Sequence, residues 1–168
     1  MSISETLLPE FDKEFASTRK IQALVPDDRL AWKPHAKSME MGRLGWHITG
    51  LTGRAVDVLT TGVRTVTAED VAKRKDAWVG KTRGMILEQF DADLKAAREA
   101  LASTSDAAWG EPWKLVFIGR AVFDGPRATA YRNMVISHMI HHRAQLGLYL
   151  RLNDIAIPGV YGPSADEG

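Results

Sequence analysis

The chain of 168 residues contains no cysteine. That absence excludes disulfides, thiolate metal sites and a protein-borne thiol nucleophile. Any metal must be held by histidine or carboxylate, and any thiol chemistry must use a substrate's thiol. No apolar run approaches the ~20 residues needed to span a bilayer. The start, Met1-Ser2-Ile3-Ser4-Glu5, lacks the basic and apolar regions of a signal peptide. The expectation is a soluble, cytoplasmic protein with no membrane partner. An excess of charge is also missing: 22 Lys and Arg face 21 Asp and Glu, a net charge of +1. Binding nucleic acid by charge is therefore not expected. The short Lys73-Arg74-Lys75 run, followed by Asp76, reads as a solvated helix face. There is no internal repeat and no low-complexity segment. Hydrophobic residues at 45% and charged residues at 26% are ordinary globular values, and the length suits one domain over residues 1–168.

Strand patterns are scarce too, and helical ones dominate. Ser2 with Glu5 three residues on resembles a capping box and predicts a first helix. Its stripe includes Leu8, Phe11, Phe15 and Gln22, and Pro26 with Asp27-Asp28 ends it. Leu30 to Lys37 is a connection anchored by Trp32. A second helix is expected from Ser38 to Thr61, stopped by Gly62, with Leu44, Ile48, Leu51, Ala55 and Val58 on its apolar side. Its glycines, Gly42, Gly45, Gly50 and Gly53, lower helix propensity by up to ~1 kcal/mol each, so close packing must hold it. Thr67 with Asp70 suggests a short capped helix through Val71 to Ala77. A third long helix runs from about Lys81 to Leu101, and Ser103-Thr104-Ser105-Asp106 ends it. Trp113 to Phe123 reads either as a small hairpin turning at Gly119-Arg120 or as a plain apolar loop. Asp124-Gly125-Pro126 reads as a helix entry, with Asp124 as the cap. Four long amphipathic segments predict an all-α fold, a four-helix bundle with a short extra helix and a small hairpin before the last helix.

The last long helix holds Ser137-His138-Met139-Ile140-His141-His142-Arg143-Ala144-Gln145, with three of the five histidines. His138 and His142 are four residues apart, so both imidazoles stack on one helical face. They continue an apolar stripe of Tyr131, Val135, His138, His142, Leu146 and Tyr149, which turns them toward the bundle interior. On the second helix, His47 lies three after Leu44 and four before Leu51, on the buried side or its margin. Imidazole suits Zn(II), Ni(II), Cu(II) and Fe(II), and three imidazoles leave a divalent ion an open position, the pattern of a catalytic site. The alternatives are a core histidine bonded to a backbone carbonyl for His47 and a polar pair at a helix interface for the others. His141 is rotated off the face and reads as a surface or neighbouring group. His35, in the Trp32-Lys33-Pro34-His35 loop, reads as exposed. Gln145 could orient a ligand or substrate, Arg143 reads as a surface ion pair or anion contact, and Tyr131 and Tyr149 could line a pocket or serve as core.

Three segments carry a family resemblance. Trp32-Lys33-Pro34-His35 through Gly45-Trp46-His47 resembles the second-helix entry of the DinB-like (YfiT-like) metal-binding four-helix-bundle superfamily. His138-Met139-Ile140-His141-His142-Arg143-Ala144-Gln145-Leu146, followed by Tyr149-Leu150-Arg151, is similar to its fourth-helix signature. The ending Ile157-Pro158-Gly159-Val160-Tyr161-Gly162-Pro163-Ser164 is similar to the tail of one subgroup. One departure is Arg143-Ala144-Gln145, where the family usually has Arg-Gly-Gln. The resemblance implies a divalent metal, Zn or Ni foremost, on His47, His138 and His142. It also implies pairing into homodimers, and in some members a low-molecular-weight thiol activated for transfer to a small electrophile. The sequence ranks that metal-dependent transferase reading first. A hydrolase comes second, because no carboxylate falls on either ligand stripe and neither Glu40 nor Asp57 is clearly aimed at the site. A non-enzymatic, stress-induced metal- or ligand-binding protein comes third.

Overall fold

The computed structural model describes residues 1–167. Helix α1 (Ile3–Gln22) begins at the expected capping box: Ser2 Oγ accepts from the Glu5 amide, and Glu5 returns the bond to the Ser2 amide. Helix α2 (Met41–Thr60) follows a loop with one 3-10 turn at Asp27–Arg29. It starts three residues later than Ser38. Strand β1 (Val63–Val66) and helix α3 (Ala68–Lys75) come next, the latter capped reciprocally by Thr67 and Asp70. Helix α4 (Arg83–Ser103), the short α5 (Asp106–Gly110), and strands β2 (Pro112–Phe117) and β3 (Arg120–Pro126) lead to the last helical run. That run comprises α6 (Arg127–Tyr131), a π-helical turn (Arg132–Ser137) and α7 (His138–Arg151).

The long helices form the bundle. Helices α1 and α2 each pack against both α4 and α7, so α1 and α2 sit on a diagonal. Phe11, Phe15, Leu44, Ile48, Leu51, Phe90, Leu101, Val135, Met139 and Leu146 fill the interior. Burial of each such side chain is worth about 1.5–3 kcal/mol relative to exposure. Two glycines of α2, Gly42 and Gly53, permit close approach. A Cβ on Gly42 would stand 2.6 Å from the Trp78 ring and 3.2 Å from the Leu30 Cβ. On Gly53 it would stand 3.2 Å from an Asp93 carboxylate oxygen. At the far end of α2, Arg127 donates to the carbonyls of Val58 and Thr61, satisfying acceptors that a helix end leaves open.

Three local expectations are corrected, and one short helix is added. The hairpin exists, but it turns at Ile118-Gly119, both with positive φ, one residue before Gly119-Arg120. It joins a parallel β1 to make a three-stranded sheet in the order β1-β2-β3. Asp124 is not a helix cap: it lies within β3, where it pairs with Lys114 at 2.7 Å, and Pro126 precedes the helix. Sequence alone could not see the cap displaced, because the strand continues through the Asp-Gly-Pro triplet. After the stop at Ser103, Ser105 caps the unforeseen turn of α5. Arg143 is no surface residue; at 3% exposure it forms an ion pair with Glu14 at 2.7 Å and donates to Tyr161. Tyr161 in turn donates to Glu14, so the Pro- and Gly-rich tail is strapped across α1 and α7. Among the described residues, no helix is long and apolar enough to cross a membrane.

Candidate metal centre

Helix α2 brings His47, and the first turns of α7 bring His138 and His142, to one place. One ring nitrogen from each lies within 4.8 Å of the other two. Ring centroids are 5.3 Å apart for His47 and His138, 4.6 Å for His47 and His142, and 4.8 Å for His138 and His142. The π-helical turn lies immediately before His138. Its wider turn rotates the following residues relative to an uninterrupted α-helix, a device common beside functional sites.

His138 and His142 of α7 form a chain of hydrogen bonds. His142 Nδ1 and Gln145 Oε1 are 2.7 Å apart, so the ring donates and its Nε2 is left as an acceptor. His138 Nε2 lies 2.9 Å from that Nε2 and must therefore donate to it. The His138 Nδ1 then accepts, and Arg54 Nη1 faces it at 3.4 Å. Burial, reinforced by the neighbouring imidazoles, lowers the pKa of His47 to about 3. Burial lowers His138 to about 4, and also lowers His142, with the Gln145 bond opposing. All three rings are neutral near pH 7, the state a cation requires.

This donor set fits a divalent transition ion. A tetrahedral ion at 2.0–2.1 Å from each nitrogen spaces them about 3.3 Å apart; here the His138 and His142 Nε2 atoms are 2.9 Å apart and all three donor nitrogens lie within 4.8 Å of one another. Three neutral nitrogens meet the imidazole preference of zinc and nickel. Gln145 fixes the His142 ring in the tautomer whose Nε2 carries a lone pair, and a cation would take the place of the His138 proton that this lone pair accepts in the metal-free protein. His141 is exposed, with its ring 4.8 Å from that of His142. Tyr131 packs on Trp109 and Tyr149 on Trp32, and neither lines the adjoining cavity. His35 is exposed, with its Nδ1 accepting from the Lys37 amide.

A cavity of about 620 Å³ opens beside His47 and His138. Its walls hold residues that the sequence reading passed over: Arg43, Arg54, Arg64 and Asp93. Arg43, His47, Gly50 and Arg54 recur at four, three and four on α2. That second, polar stripe was visible, but a search for apolar periodicity does not select it. Arg64 arrives on β1, where alternation turns Arg64 and Val66 to one face. Asp93 comes from α4, where Gln89 donates to it at 2.9 Å and burial raises its pKa. Burial and the charges of Arg64 and Arg74 lower the Arg54 pKa to about 10, and it stays cationic.

Known proteins resemble this chain in sequence and in fold. A sequence model of the DinB superfamily matches residues 10–146. The uncharacterized protein YrdA of Bacillus subtilis (strain 168) is 25% identical over 161 residues, covering 95% of this chain and 89% of its own. A crystal structure of a DinB-like protein from Bacillus cereus ATCC 10987 superposes with a TM-score of 0.71 at 26% identity, over 95% of this chain and 98% of that one. The DinB-like protein YjoA of Bacillus subtilis gives 0.69 at 15% identity, over 92% and 96%, a likeness of fold.

Proposed function

The chain belongs to the DinB superfamily, and from that premise we propose that it binds a divalent metal ion on His47, His138 and His142. We propose further that it is a transferase joining a low-molecular-weight thiol to a small electrophile. The observation that supports this best is the convergence of three neutral imidazoles at the edge of a cavity sized for a small molecule. Such an ion, when bound, stabilises a thiolate near neutral pH and so supplies the nucleophile without a protein base.

The chain's own residues do the rest. Gln145 holds the His142 ring. Trp46, Leu115 and Phe117 give the cavity apolar walls against which a hydrocarbon body can pack. The absence of cysteine leaves no internal thiol to compete.

One observation favours a second reading, hydrolysis with water as nucleophile. Asp93 supplies a carboxylate on the cavity wall, and a raised pKa suits a general base. The two readings separate in one assay. Zinc- or nickel-loaded protein is offered several biological thiols with an aryl halide electrophile, and separately ester and amide substrates. The transferase reading expects thiol-dependent turnover that disappears on chelation and in His138→Ala. Turnover of esters or amides alone would reverse the order. No turnover with either class, despite stoichiometric metal, would leave a binding protein.

A further inference from the structure

We propose that the cavity beside the histidines is built for a substrate carrying an oxyanion, a carboxylate above all, on an apolar body, and that Arg54 and Arg64 grip the anion. This rests on the reading that the cavity is the substrate site, and it adds the substrate's charge.

The lining has five basic side chains, Arg43, Arg54, Arg64, Arg74 and Lys75, against one carboxylate, Asp93. The whole chain is almost neutral at +1, so this excess is a local arrangement. Two of the five are also incompletely satisfied. The Nε atoms of Arg54 and Arg64 are buried and, among the described residues, have no hydrogen-bond partner. Among the described residues Arg64 has one ion pair, with Asp57, and Arg54 has none, its one contact being to His138 Nδ1. A buried guanidinium normally has its donors matched, because an unmet charged donor costs free energy. Guanidinium groups also present planar forks that suit a carboxylate.

The two arginines enter from different elements, α2 and β1, onto one cavity. Around them lie Trp46, Val66, Leu115 and Phe117, a surface for hydrocarbon. The site therefore asks for both parts together: an anionic head at the arginines and an apolar body against the sheet. Either the thiol or the acceptor could carry that head.

The test is calorimetric binding of 3-phenylpropionate and its neutral isostere 3-phenylpropionamide to chelated, metal-free protein. The carboxylate is expected to bind roughly tenfold or more tightly than the amide, with a preference that shrinks in Arg54→Met and Arg64→Met and is partly kept in Arg54→Lys. Equal binding of acid and amide to the wild-type protein, or an undiminished preference in both methionine variants, would overturn the proposal. The wild-type comparison needs no variant to fold. Zinc affinity, measured in parallel, judges the metal reading separately: carboxylate preference can stand where zinc fails, and the reverse. In zinc-loaded protein, displacement of 3-phenylpropionate by 3-mercaptopropionate and not by 2-mercaptoethanol assigns the anion to the thiol. Simultaneous binding of 2-mercaptoethanol and 3-phenylpropionate assigns it to the acceptor, and both results keep the subsite.

Discussion

Gln145 holds His142 through a 2.7 Å bond between its Oε1 and the ring Nδ1. The two residues lie three apart on α7, so the helix itself presents the amide to the ring. The bond fixes the tautomer and leaves Nε2 facing His138. Replacing Gln145 by Ala should lower zinc affinity about 10–100-fold while leaving helix content by circular dichroism unchanged. Unaltered zinc affinity would mean that His142 needs no such support.

The pH dependence of the metal-free protein follows from the same burial. His47 and His138 have folded pKa values of about 3 and about 4, against 6.5 for a free imidazole. The unfolded chain therefore takes up protons first as pH falls. Above about 6.5 both states are neutral at these sites and the histidines add no pH dependence. Between about 6.5 and 4 the unfolded state binds more protons, so stability declines with falling pH. Urea denaturation in the presence of chelator should show this slope, and a variant with both residues changed to Phe should lose much of it.

The tail strap should be measurable by stability alone. Glu14 and Arg143 are buried at 5% and 3% exposure, and Tyr161 bridges them. Glu14→Gln leaves a buried guanidinium without its counter-charge and should cost about 3 kcal/mol. Tyr161→Phe removes only a hydroxyl and should cost about 1 kcal/mol. Chemical denaturation gives both values, and equal effects would contradict the asymmetry.

Gly42→Ala tests why a glycine-bearing helix persists. Alanine raises helix propensity by about 1 kcal/mol, yet its Cβ would stand 2.6 Å from the Trp78 ring. A rigid indole yields poorly, and overpacking typically costs about 1–3 kcal/mol. Net destabilisation is expected in a denaturant melt; a more stable variant would show that the Trp78 segment moves freely.

How much of this was legible in the chain depended on which pattern carried the information. The bundle was legible because its helices repeat apolar residues over 14 to 21 positions, long enough for periodicity to speak. The convergence of His47, His138 and His142 was legible for the same reason, since each histidine replaces an apolar residue in a core stripe. Strand β1 was not: at four residues, Val63–Val66 is too short to show alternation beyond chance. Its loss hid Arg64, one of the two arginines proposed to grip the anion. Arg54 and Asp93 belong to polar faces, which sequence reading assigns to solvent unless something covers them. Arg143 misled for a related reason, because its cover is Glu14 on α1 and Tyr161 in the tail, distant in sequence on one side and irregular on the other.

The most direct test of the whole account is metal content. Wild-type protein loaded with zinc and freed of excess should retain one ion per chain by elemental analysis. His47→Ala, His138→Ala and His142→Ala should each weaken binding by more than about 100-fold with circular dichroism unchanged. His47 is the critical case, because it alone comes from across the bundle. If His47→Ala kept the stoichiometry and affinity of the wild type, the three-histidine centre would be wrong.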